Sequence, residues 1–300
     1  MPRPRFATYA IVIRLLTMSI VWLSLLVWFL NAYRTSCGVA FAVWGVLGVI
    51  LLAAGTERAY FHRRALFSEC LLRKGRLFPI FHNRILILLR EAVYAALLAM
   101  ILLVSALVLE ARQWSLMIAD ILLMGLLIPR LSNALEGEMR DAYRFAVARQ
   151  WAMWISVLLL WADAVMVLTM SPREDFVGMR WQEVVTYGVT VPDVQCALMG
   201  AVARVYVVGQ ALAIWAVQNA SRVMHDPTQS VMVWVGFLTL FGFTFLAALA
   251  FSRALVGVLS RPWTMWRSVP GTRAGSRGAS NPPSVALPKA PEEEPSGGVG

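Results

Sequence analysis

The sequence predicts an all-α polytopic membrane protein, a bundle of seven transmembrane helices or, alternatively, six. Three observations lead there. The 300 residues are 59% hydrophobic and only 15% charged, with a mean hydropathy of +0.66, whereas a soluble domain carries about a quarter charged residues. Several apolar runs approach or exceed the ~18–20 residues that cross a bilayer. The arginines cluster in the segments flanking those runs, as membrane topology demands. A β-barrel would instead show short alternating segments. The formal net charge of +10 therefore speaks for membrane orientation rather than for nucleic acid as a partner.

The elements follow in order. Met-Pro-Arg-Pro-Arg precedes the run Ile11–Asn31. Basic residues before an apolar core resemble a signal peptide, but the core is long and no clean small-x-small site follows, so a retained first helix is expected. The second run, Cys37–Ala54, carries Gly38, Ala42, Gly45 and Gly48. This small-residue spacing lets helices approach closely. Residues 1–54 thus form an N-terminal transmembrane hairpin. Residues 55–91 form a basic loop in which Arg63, Arg64, Arg73, Lys74 and Arg76 interleave with Phe61, Phe67 and Phe78, a composition that attracts anionic lipid or a partner.

Residues 92–251 hold the main bundle, with runs at Ala92–Leu109, Trp114–Leu131, Trp151–Met170, Cys196–Ala216 and Val231–Phe251. Trp28, Tyr33, Trp114, Trp151 and Trp181 lie near run ends, where amphipathic rings prefer the headgroup level. Leu131, Leu135, Met139, Tyr143 and Ala146 recur at helical spacing. An amphipathic helix continuous with, or lying under, the neighbouring spans is expected there. Residues 252–300 comprise a basic juxtamembrane segment and a Gly-, Pro- and Ser-rich tail too poor in bulky apolar residues to fold. No internal repeat is visible.

The arginine-rich segments Thr56–Glu91 and Arg130–Gln150 place the N-terminus in the cytoplasm under the positive-inside rule. One conflict follows. Seven spans leave the C-terminus outside, yet Arg253, Arg261, Arg267, Arg273 and Arg277 follow the last run. Removing Trp114–Leu131, which has Asp120 near its middle, gives six spans and a cytoplasmic tail. In the seven-span scheme the sequon Asn219-Ala-Ser221 falls on the cytoplasmic side, unused.

Charges inside apolar runs are the best pointers to function because each is expensive in hydrocarbon. Asp120, Asp163 and Arg204 qualify and could pair, relay a proton or bind a cation. Gly209, beside Gln210, adds a further close-packing position. Cys37, Cys70 and Cys196 form no CxxC pair and read as small buried hydrophobes. The scattered His62, His82 and His225 suggest no metal site, and no cofactor is expected. The sequence lacks GxSxG, HxxxxD and HExxH motifs and a glycine-rich phosphate loop.

Val184-Val-Thr-Tyr-Gly-Val-Thr-Val-Pro192 resembles a potassium-channel filter. Val185, Tyr187, Gly188 and Pro192 match, but Val184, Thr186 and Val189 stand where the filter has threonine, glycine and aspartate. With Thr186 in place of a filter glycine, a re-entrant or interfacial loop around Thr186, Tyr187, Gly188 and Pro192 is the stronger use of the stretch. An ordinary extracytoplasmic loop leading to a helix that begins near Pro192 is stronger still.

These readings converge on a non-enzymatic, multi-pass protein of a bacterial inner membrane. Its partners would be lipids and other membrane-protein subunits, in a secretion, conjugation or envelope complex. The alternative is a channel or transporter for a small solute or ion working through Asp120, Asp163 and Arg204.

Overall fold

The computed structural model describes residues 4–70, 84–138, 141–170, 175–187, 194–223 and 227–260. The chain is all-α. Helices α1 (Pro4–Asn31), α2 (Cys37–Cys70), α3 (Arg84–Ala106), α4 (Ala111–Ala134), α5 (Asp141–Met170), α6 (Trp181–Tyr187), α7 (Ala197–Val223) and α8 (Pro227–Leu259) follow one another, with one 3-10 turn at Ala32–Arg34. Seven of these, all but α6, are long and apolar enough to cross a membrane. Each of the seven predicted runs, Trp114–Leu131 included, overlaps one of them, with Leu107 to Leu109 and Cys196 falling just outside the helix ends.

Local chemistry sets the boundaries. The Glu110 backbone N–H donates to Gln113 Oε1 (3.0 Å), capping α4. Pro227 opens α8, where its missing N–H costs nothing. Gly137, at φ +95°, turns the chain after α4 in a conformation that side chains rarely adopt. The amphipathic stretch expected from Arg130 onward is divided. Its first residues extend α4, and α5 resumes at Asp141.

The core is made by large residues meeting between α1, α2, α3, α4, α5 and α8. Met18, Leu25, Leu51, Leu98, Leu102, Leu103, Met124, Phe251 and Leu255 are fully buried there. The same helices turn Leu16, Leu23, Val46, Val49, Leu122 and Leu158 outward. Helices that are apolar all round are the form a lipid-embedded bundle takes.

The bundle has two chemically different ends. At one, Arg149 of α5 pairs with Glu57 of α2, and its other amino group donates to the Leu259 carbonyl at the end of α8 (2.7 Å). Arg253 of α8 reaches Glu91 of α3 (3.3 Å), and Arg14 lies over the Phe145 ring (5.0 Å). This basic end therefore gathers the start of α3 and α5 and the end of α8. At the opposite rim, Cys37 at the start of α2 forms a disulfide with Cys196, just before α7. That pairing corrects the reading of both cysteines as isolated hydrophobes. Cys70 ends α2, and its side chain lies outside the description.

Helix α7 packs chiefly on α8, and its Ala203 and Tyr206 also meet Val104 of α3. It begins at the disulfide rim and runs antiparallel to the first half of α8. Tyr206 meets Phe243 (5.5 Å between rings), Gly209 faces Thr239 and Phe243, and Gly236 faces Leu212 and Ala216. The 33 residues of α8 extend about 50 Å, well beyond the ~30 Å of hydrocarbon. Its second half packs in the core, and its first half pairs with α7 as an antiparallel hairpin.

A small cap closes this hairpin. Phe176 and Val184 pack on Trp215, Ile214 and Val233. Trp215 Nε1 donates to the Met179 carbonyl (2.8 Å), and the Asn219 amide bonds Phe176 and Gly178. The sequon residue Asn219 is thus buried and fully engaged.

Candidate functional site

Polar groups inside the bundle stack on one stripe of α5. Arg149, Ser156 and Asp163 are seven residues apart, so they recur every two turns, roughly 10 Å along the axis. Each anchors a separate storey with partners from neighbouring helices.

The lowest storey is the Arg149–Glu57 pair with the Leu259 carbonyl. Both side chains are nearly buried, with 14% and 7% of their surface exposed. The pair ties α2, α5 and α8 together. The Glu91–Arg253 pair, also mostly buried, ties α3 to α8 beside it, and Arg253 rests on the Tyr94 ring (4.9 Å).

The middle storey contains no basic group. Asp120 of α4 is 5% exposed. Ser156 Oγ donates to Asp120 Oδ2 (2.7 Å) and lies 2.7 Å from Ser252 Oγ of α8. Ser252 Oγ also reaches the Ala248 carbonyl (2.9 Å). Asp120 Oδ1 is buried without a hydrogen-bond partner.

The upper storey is Asp163, which accepts from Arg112 of α4 (3.1 Å) near the rim. Asp163 lines a cavity of about 140 Å³ together with Glu110, Gln113, Tyr206, Gln210 and Thr244. Tyr206 and Gln210 hydrogen-bond each other. Met117, Leu160, Ala248 and Phe251 line it too. Met117 and Leu160 stand one turn from Asp120 and Ser156, and Ala248 is the residue whose carbonyl Ser252 engages.

The three intramembrane charges of the sequence are thus not brought together. Asp120 and Asp163 share the α4–α5 interface at different heights. Arg204 lies exposed on α7, away from both. Gly209 is a true close approach, since a Cβ there would meet Thr239 at 2.8 Å. Gly38, Ala42 and Gly45 instead face outward, and nothing lies within 4 Å of a Cβ built at Gly38 or Gly45, so this row packs on none of the described helices.

Val184–Tyr187 is helical and sits on the α7–α8 hairpin. A filter needs extended backbone carbonyls lining a pore, so the resemblance ends there. Thr186 is exposed on that helix. The Tyr187 side chain, Gly188 and Pro192 lie outside the described residues, as do the side chains of Arg63 and Arg64, all of Arg73, Lys74 and Arg76, and the tail from residue 261.

Sequence reasoning missed Ser156, Ser252, Glu57, Glu91, Arg149 and Arg253. The serines carry no signal in an apolar run, because a lone hydroxyl can satisfy itself on the preceding turn. The seven-residue recurrence of Arg149, Ser156 and Asp163 was the legible clue. No known family, curated protein or solved structure matches the chain.

Proposed function

We propose that this chain is a non-enzymatic inner-membrane protein serving as a subunit or scaffold of a larger membrane assembly, such as a secretion, conjugation or envelope complex. One observation carries this reading. Most of the charges in the bundle are spent on one another, as Glu57–Arg149, Glu91–Arg253 and Asp163–Arg112, and large apolar side chains fill the space between them. Such an interior holds helices in place and lines no open path.

The seven long helices make six crossings in this reading. The disulfide requires Cys37 and Cys196 to share a side, and an oxidising extracytoplasmic space favours that bond. Helices α2, α3, α4 and α5 cross between them, an even number that retains α4 as a span. Helix α7 then leaves from and stays on the outer side, and α8 returns to the basic end. Both termini face the cytoplasm, which removes the conflict over the arginines after α8. A reporter fused after Ser260 should read cytoplasmic and one after Ser36 extracytoplasmic. A periplasmic reading after Ser260 would reject this topology.

A second reading, a channel or transporter for a small ion, is favoured by the stack of polar storeys beneath the rim cavity. Flux through liposomes reconstituted with the purified chain separates the two. The scaffold reading expects none. Cation flux abolished by Asp120→Asn would overturn it in favour of transport.

A further inference from the structure

We propose that Asp120, Ser156 and Ser252 form a binding site for a monovalent cation, either a proton or a sodium ion, at mid-depth in the bundle. The site does not depend on whether ions cross the membrane.

A carboxyl group in the middle of an apolar span is among the costliest placements a sequence can make, and it persists where something compensates it. Elsewhere in this bundle the compensation is an arginine. For Asp120 it is one hydroxyl on one oxygen, backed by a second hydroxyl behind it. Ser156 bonds Oδ2, Ser252 backs Ser156, and Oδ1 is fully enclosed with no partner.

The charged groups of the packed helices are directed elsewhere. On α5, Arg149 engages Glu57, and Asp163 engages Arg112 of α4. On α8, Arg253 follows Ser252 directly but turns to Glu91. On α1, Arg14 lies over Phe145 at the basic end. A buried polar atom left open in this way costs about 1–3 kcal/mol, and more when charged. A cation on Oδ1 removes both the open acceptor and the uncompensated charge.

The donor set selects the class of ion. One carboxylate, two hydroxyls and the Ala248 carbonyl are hard oxygen donors carrying a single negative charge, matched to one positive charge. No cluster of three or more His, Cys, Asp or Glu residues suited to a transition metal occurs among the described residues. Access is from the rim cavity. Its Met117, Leu160 and Ala248 stand one turn from the three donors.

The test is labelling by dicyclohexylcarbodiimide, which modifies protonated carboxyl groups in apolar surroundings. The full chain, purified in detergent, is treated across a pH series in choline or sodium chloride, and the adduct on the Asp120 peptide is quantified by mass spectrometry. Chain denatured before labelling serves as the reactivity control. With sodium as the occupant, labelling at fixed pH falls as sodium replaces choline. With the proton as the occupant, sodium has no effect and labelling falls only as pH rises.

Ser252→Ala keeps the carboxyl and removes one donor. It should raise the half-protecting sodium concentration, or shift the labelling profile along the pH axis, by about tenfold in concentration, the worth of one hydrogen bond in the chain that supports Asp120. An Asp120 that labels when denatured but never in the folded chain overturns the site. So does labelling indifferent to both sodium and pH.

Discussion

Arg149 shows what a single side chain does here. Its guanidinium spans Glu57 and the Leu259 carbonyl, so one residue fastens α5 to α2 and to the end of α8. Removing one member of a buried pair strands the other charge, at a cost of about 3–5 kcal/mol. Arg149→Ala should therefore lower thermal stability in detergent steeply. The Glu57→Ala/Arg149→Ala double variant should recover part of the loss, because no charge is then left alone. A double variant as unstable as the sum of the singles would show that the pair does not act as a unit. Asp163 and Arg112 are a weaker case, since the arginine is 58% exposed, and Arg112→Ala should change stability by about 0–1 kcal/mol.

At the scale of elements, close backbone approach governs the geometry of α8. A Cβ at Gly236 would lie 2.7 Å from the Leu212 carbonyl oxygen, and one at Gly257 would strike the Ile50 carbonyl. Both neighbours are backbone and cannot swing aside. Gly236→Val should separate α7 from α8 at a cost of about 1–3 kcal/mol, read as a lowered melting temperature. Gly242, with nothing within 4 Å, should accept the same change with little effect and serves as the control. The disulfide adds a covalent tie between the start of α2 and α7 across a sequence separation of 159. With three cysteines in the chain, maleimide should count one thiol in denatured, unreduced protein and three after reduction. A count of three before reduction would remove the bond. Cys196→Ser should cost about 2–4 kcal/mol.

For the whole molecule, the decisive feature is where α7 stands. Ser221 is exposed near its end. In a Cys70→Ser background, Ser221→Cys should react in intact cells with a membrane-impermeant maleimide, because the proposed six-crossing topology leaves that end outside. Protection until the membrane is opened would mean that α7 crosses. The apolar composition of α7 does not separate the two outcomes. Its Tyr206, Ala211, Ile214 and Trp215 are buried against α8 and the small cap, so hydropathy that reads as a span is spent on a protein contact.

The sequence by itself determined the class of molecule and the seven helices. Length and apolarity are properties of a run alone, and hydrocarbon leaves a run of that kind no other fold. It also marked Asp120 and Asp163, because a charge inside such a run is conspicuous. Tertiary structure alone decided the partners. Cys37 with Cys196, Arg149 with Glu57, and Asp120 with Ser156 and Ser252 are separated by 159, 92, 36 and 132 residues. None of these distances leaves a periodic trace. It also set Arg204 apart from the acids and turned Gly38, Ala42 and Gly45 outward, since facing depends on which helices meet. Whether an apolar helix meets lipid or another helix is the quantity that hydropathy cannot contain, and on the topology proposed above it separates seven helices from six crossings.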